Sequence, residues 1–126
     1  MNLRSDLGRA RGLGAAKEGV AHWWAQRVTA VALVPLSLWL AASLAMLAGA
    51  DHKAAVAWIG APVNAVLLAV TLGVTFHHTQ LGLQVVIEDY VHCKAMKVAS
   101  IVLVKFASVL LAAASVFAVL KIAFAG

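Results

Sequence analysis

Almost every side chain in this sequence that could do chemistry sits in one stretch. It reads His77-His78-Thr79-Gln80-Leu81-Gly82-Leu83-Gln84-Val85-Val86-Ile87-Glu88-Asp89-Tyr90. Two histidines stand deep inside an apolar run, and two acids and a tyrosine stand where that run ends. An imidazole in such a place either ligates a metal or hydrogen-bonds to a backbone carbonyl or hydroxyl of a neighbouring helix. A tyrosine beside a carboxylate can donate to a carbonyl oxygen or relay a proton. Its structural alternative is an aromatic-belt residue next to a helix-end acid. Two consecutive acids at a helix C-terminus oppose the helix dipole, so they call for a compensating partner.

Composition says what must position these groups. The chain has 126 residues, 63% of them hydrophobic and 12% charged, with a mean hydropathy of +0.94. A soluble domain of this size cannot hide so much apolar surface, so a bilayer is the natural solvent. The length allows about three spans of roughly 20 residues each in one domain. The net charge of +5 collects at the N-terminus and in one loop. It reads as membrane topology and contact with anionic lipid headgroups, which argues against nucleic acid binding. One cysteine, Cys93, excludes an intramolecular disulfide and any multi-cysteine cluster within the chain.

The expected architecture is an all-α integral membrane protein. Its three transmembrane helices are expected at about 24–49, 58–90 and 97–123, after a basic N-terminal tail over 1–21. The tail has no apolar core that would mark a cleavable signal, and its glycines follow no strand, so no phosphate loop is expected. His22-Trp23-Trp24 reads as an interface anchor. Arg27, at the lip of the first span, either snorkels to the headgroups or turns inward to pair with an anion. Pro35 can kink that span. Asp51-His52-Lys53 reads as a polar turn, Trp58 as a second interface marker, and Pro62 as a residue suited to a first helical turn. Lys105 can snorkel from the third span. Arg and Lys are concentrated in the tail and the 91–97 connection. That distribution makes both cytoplasmic and leaves the C-terminus outside.

At about 100° per residue, His78, Gly82, Val85 and Asp89 share one face of the second span. His77 points about 100° away, with Leu81, Gln84 and Glu88. The two histidines therefore cannot serve one site. Gly82, one turn from His78, removes side-chain bulk, which is the clearance a flat macrocycle needs, and haem iron takes axial histidines. No second histidine of this chain stands at the same depth. A haem at His78 would need its other ligand from another polypeptide.

His78-x-x-x-Gly82 followed by Gln84-Val85-Val86-Ile87-Glu88-Asp89-Tyr90, in the second of three spans, resembles the small D-type membrane anchor of bacterial succinate dehydrogenase, respiratory complex II. His22-Trp23-Trp24-x-Gln26-Arg27-x-Thr29-Ala30 is similar to the start of the first span in that family. The resemblance covers nearly the whole chain, and the His-to-Asp-Tyr spacing is its most specific part. It implies that His78 is one axial ligand of haem b, with a second, cytochrome b-type membrane anchor supplying the other. It implies that Tyr90 hydrogen-bonds a ubiquinone carbonyl, that Asp89 supports Tyr90 or the proton path, that Arg27 lies near the haem propionates or the quinone pocket, and that His22 and Trp23 contact the propionates or the iron–sulfur subunit. The implied partners are that second anchor, an iron–sulfur subunit and a flavoprotein subunit, in the bacterial inner membrane. The chain itself would carry no catalytic residue. A fumarate reductase anchor using menaquinone shares this architecture. A self-contained b-type cytochrome would need a histidine pair at equal depth, and a transporter would need a continuous polar path; the sequence has neither.

Overall fold

The computed structural model of the chain describes residues 6–7 and 16–125, with side chains of the first helix described from Gly19 onward. Arg4, Arg9 and Arg11 of the expected basic tail lie outside the described residues. Four helices follow: α1 over Ala16–Leu47, α2 over His52–Gly60, α3 over Pro62–Tyr90 and α4 over Lys94–Ala125. Among the described residues there is no strand. Three helices are long and apolar enough to cross a membrane: α1 from Gly19, α3 and α4. The 29 residues of α3 measure about 43 Å against a hydrocarbon core of about 30 Å, so the helix tilts or projects.

The helix ends follow from local chemistry. After α1, Gly49 takes a φ of +81°, a left-handed conformation that costs glycine little. The chain then turns, with Ala50 N–H donating to Leu47 O at 2.9 Å. Asp51 caps α2, its Oδ1 accepting from Ala54 N at 2.8 Å. Such a cap satisfies one orphan N–H and contributes about 1 kcal/mol. The polar turn expected at 51–53 is therefore the start of a short helix. The second span also begins later than 58. Proline disfavours the helical conformation in the residue before it, and Ala61 is extended at φ −63°, ψ 133°. That separates α2 from α3, and Pro62 opens α3 at its first position, where its missing N–H has no cost. At the other end of α3 only Val91–Cys93 are non-helical, so the third span starts at Lys94, earlier than 97. Helix α1 likewise begins inside the expected tail. It runs through Pro35 without a break, as membrane helices allow when hydroxyls and neighbours satisfy the freed backbone. Ser37 Oγ donates to Val34 O at 3.2 Å beside it.

Helix α3 is the middle of a row. It packs against α4 along most of its length and against α1 on its other side, while α1 and α4 make no extensive contact. The short α2 lies against α3 and α4. It is tied to α1 by Trp39 stacked on Trp58, ring centroids 5.6 Å apart. Asn64 Nδ2 donates to Trp58 O at 3.0 Å. The interior is small: Ala65, Leu81 and Val119 are its buried apolar residues, joined by buried Thr29, Ser43, Thr71 and Gln80. Leucines, valines and phenylalanines along all three long helices remain exposed. In a membrane chain that surface meets lipid or other subunits.

Candidate functional site

The site is built where α1 crosses α3. The helices run antiparallel, so Thr29 of α1 meets His78 of α3, and Gln26 meets Gly82 one turn further on. On α1, His22, Gln26 and Thr29 stand four and three residues apart, which brings them to one face. Thr29 is 9% exposed. Its Oγ1 lies 2.9 Å from His78 Nδ1. The same oxygen donates back along its own helix, 2.7 Å from Ala25 O and 3.0 Å from Gln26 O. Thr71 is buried on the His78 face of α3 and bonds only within its own helix, to Leu67 O at 2.6 Å.

His78 is half-buried. Nδ1 is engaged by Thr29, while Nε2 takes no hydrogen bond among the described residues and is not sealed from the surface. His77, the neighbour, is exposed and stands about 100° around the helix, so the structure separates the two histidines as their spacing predicts. Gly82 does face α1. A Cβ there would lie 3.7 Å from Gln26 Nε2, ordinary van der Waals contact that admits alanine and nothing much larger. Gln26 therefore borders the clearance expected over Gly82, which is not empty space.

Two polar atoms beside this crossing are buried without a partner: His22 Nε2 and Gln26 Oε1. Leaving such a group unsatisfied costs about 1–3 kcal/mol. Both belong to the α1 face that carries Thr29.

Arg27 points elsewhere. It is about 200° around the helix from Thr29 and exposed, with its guanidinium carbon 5.3 Å from the ring centroid of Trp23. Trp23 in turn meets Trp24 edge-on at 5.1 Å. Arg27, Trp24, Val28 and Val31 line a shallow recess of about 190 Å³. Within this chain Arg27 is thus part of the aromatic interface belt and apart from the His78 crossing.

At the far end of α3, Asp89 is exposed and Tyr90 is 77% exposed. Neither has a side-chain hydrogen-bond partner among the described residues. Glu88 does have a partner: its Oε1 accepts from Gln84 Nε2 at 3.1 Å, and Gln84 Oε1 accepts from Gln80 Nε2 at 3.3 Å. This ladder gives one of the two C-terminal acids the compensation the dipole argument called for. It climbs the side of α3 turned away from His78, about 200–280° around the helix. His78 and Asp89 lie about 16 Å apart along the axis.

Spacing alone left Thr29 and Gln26 without a role and missed the Gln80–Gln84–Glu88 ladder. The i, i+4, i+8 spacing of that ladder is a readable signal for paired side chains on one face. The Thr29–His78 pair leaves no such signal, because it depends on the register between two helices.

Comparisons with known proteins identify the family. Residues 1–120 match the profile of the succinate dehydrogenase/fumarate reductase transmembrane subunit. The chain is similar to a succinate dehydrogenase hydrophobic membrane anchor subunit of Rickettsia bellii, with 35% identity over 94% of each chain. The chain belongs to the succinate dehydrogenase membrane-anchor family. A further relative from Paracoccus denitrificans, named in the same words, is 35% identical over 83% of this chain and 81% of its own. One from Reclinomonas americana, a succinate dehydrogenase membrane anchor subunit, is 32% identical over 71% of this chain and 77% of its own. No solved structure matches. As a succinate dehydrogenase anchor, the chain is a multi-pass membrane protein that works with other subunits of its complex in the bilayer.

Proposed function

We propose that this anchor holds one side of a haem b through His78 and contributes Tyr90 and Asp89 to the site where ubiquinone is reduced. The observation that carries the haem assignment is the state of His78. One ring nitrogen is engaged by Thr29 and the other is free and reachable, the arrangement a metal-ligating imidazole requires. Support comes from His22 Nε2 and Gln26 Oε1, two buried polar atoms with no partner on the neighbouring face of α1. The donor set fits the group: a neutral imidazole nitrogen for iron, and an imidazole and a guanidinium, His22 and Arg27, for the propionates. Arg27 reaches them only by leaving Trp23, so its role is the weaker of the two. A second iron ligand would come from the companion, cytochrome b-type anchor, because among the described residues no other histidine stands at the depth of His78. Haem held there would supply a one-electron store.

The protein side of quinone reduction is derived from the exposed end of α3. The Tyr90 hydroxyl donates a hydrogen bond to a quinone carbonyl, where negative charge develops as electrons arrive. Asp89, the residue before it, accepts from water and keeps a proton source at the head of the quinone. The apolar faces of α1 and α3 leave the quinone tail in lipid. The electrons come from succinate by way of the flavoprotein and iron–sulfur subunits. The Arg and Lys of the tail and of residues 91–97 support a cytoplasmic side for both and a periplasmic C-terminus in a bacterial inner membrane.

The test is the reduced-minus-oxidised spectrum and quinone reductase rate of the purified complex. His78→Ala is expected to remove the b-type signal while His77→Ala keeps it. A complex with no b-type haem in the wild type would end the haem assignment. A Tyr90→Phe complex reducing ubiquinone at the full rate would end the quinone assignment.

A further inference from the structure

We infer that Thr29 is a positioning residue for His78: its hydroxyl fixes the imidazole in the Nδ1–H form and aims Nε2 at the ligand position. This rests on the haem reading of His78 given above.

The argument is one of proton count. A threonine hydroxyl has one proton and two lone pairs. Three atoms lie within hydrogen-bond distance of Thr29 Oγ1: Ala25 O at 2.7 Å, Gln26 O at 3.0 Å and His78 Nδ1 at 2.9 Å. The two carbonyl oxygens can only accept. If the hydroxyl proton pointed at Nδ1, the oxygen would face both carbonyls with bare lone pairs, at 2.7 and 3.0 Å. That is repulsive and leaves two contacts unsatisfied. With the proton on the carbonyl side, a lone pair turns to His78 and Nδ1 must carry the proton. A neutral imidazole protonated at Nδ1 has its free electron pair at Nε2. Helix α1 thereby selects the tautomer that can bind a metal through Nε2.

Geometry and burial add to this. Thr29 is buried at the helix crossing, and its β-branched side chain has few rotamers in a helix. The back-bond to Ala25 O removes the remaining freedom of the hydroxyl. The imidazole is thus held by a fixed acceptor on another helix. A hydrogen bond from Nδ1–H also raises the basicity of the opposite nitrogen. The pairing has no counterpart at His77, which is exposed and unbonded, so it distinguishes between adjacent histidines of identical type.

The experiment has two arms. In the first, the full chain labelled with 15N-histidine is placed in detergent micelles without haem, under mildly alkaline conditions where an ordinary imidazole is neutral. The His78 signal is assigned by its loss in His78→Gln. The expected result is a protonated Nδ1 and a bare Nε2, and in Thr29→Val a mixture of both tautomers. In the second arm the assembled complex carries Thr29→Val or Thr29→Ser. Thr29→Val keeps the shape and removes the acceptor. It is expected to raise the haem midpoint potential, shift the low-spin signal in electron paramagnetic resonance, and weaken haem retention roughly 10- to 100-fold. Thr29→Ser keeps the hydroxyl and should hold all three near wild type. His78 in the Nε2–H form, or Thr29→Val with unchanged potential and resonance signal, overturns the assignment while leaving His78 as ligand. His78→Ala with an unchanged haem spectrum removes the haem reading itself. If Thr29→Val does not assemble, the tautomer of wild-type His78 decides alone.

Discussion

The two ends of α3 are built differently. At the His78 end the chain supplies a buried partner from another helix, a defined ring orientation and a glycine bordered by a glutamine. At the Tyr90 end it supplies two exposed side chains with nothing to hold them. A group held by its own subunit can be pre-organised before assembly, whereas a group left in the open acquires its geometry only from what docks there. The first site is thus half of a structure already formed. The second, on the proposed reading, is an edge that other subunits would complete.

Substitutions at the two ends can break or sharpen this contrast. The largest effect is expected from His78→Ala, with complete loss of the b-type spectrum in the purified complex and His77→Ala as its silent neighbour. Next is Tyr90→Phe. Removing one hydrogen bond to an oxygen that gains charge should lower quinone reductase turnover about 10- to 100-fold, with haem content unchanged by the same spectrum. If Tyr90→Phe also lost haem, the two ends would not be independent and the contrast would fail. Gly82→Leu should be smaller. A Cβ there already lies 3.7 Å from Gln26 Nε2, so the further atoms of leucine crowd that side chain and should destabilise the α1–α3 crossing by about 1–3 kcal/mol, read as a lower melting temperature of the complex, while Gly82→Ala stays near wild type. The smallest effect is expected at Asp51→Ala, which removes the cap of α2 at a cost of about 1 kcal/mol and leaves both haem content and turnover in place.

How much of this could be read before the structure differs by residue. Pro62 announced the start of α3 because its effects on its own backbone and on Ala61 are local. His78 and Gly82 were legible as a pair because helical periodicity puts them on one face whatever surrounds them. Asp51-His52-Lys53 was misread as a turn. A helix of nine residues has too few turns to show a period, and an aspartate that starts a helix looks the same as one in a loop. Thr29 was beyond reach for another reason. Nothing in its neighbours indicates that it stands opposite a residue 49 positions away; that follows from how two apolar surfaces slide to fit. Arg27 illustrates the reverse case. Its two readings, snorkelling to the headgroups or turned inward to an anion, stand open in the sequence, and within this chain its guanidinium lies over the face of Trp23, away from His78.

The row arrangement seats α3, a continuous helical rod of 29 residues, between α1 and α4 and leaves the Asp89 and Tyr90 side chains exposed at its end. A rod of this kind acts as a lever. Taking His78 as the fulcrum, a tilt of about 5° carries the backbone at Tyr90 by roughly 1.5 Å, since the two are about 18 Å apart along the axis. A displacement of that size is large for a hydrogen bond to a reacting oxygen. On the proposed reading of the two sites, a small change in the seating of α3 against α1 is therefore magnified at the Tyr90 end, with no hinge required between the two.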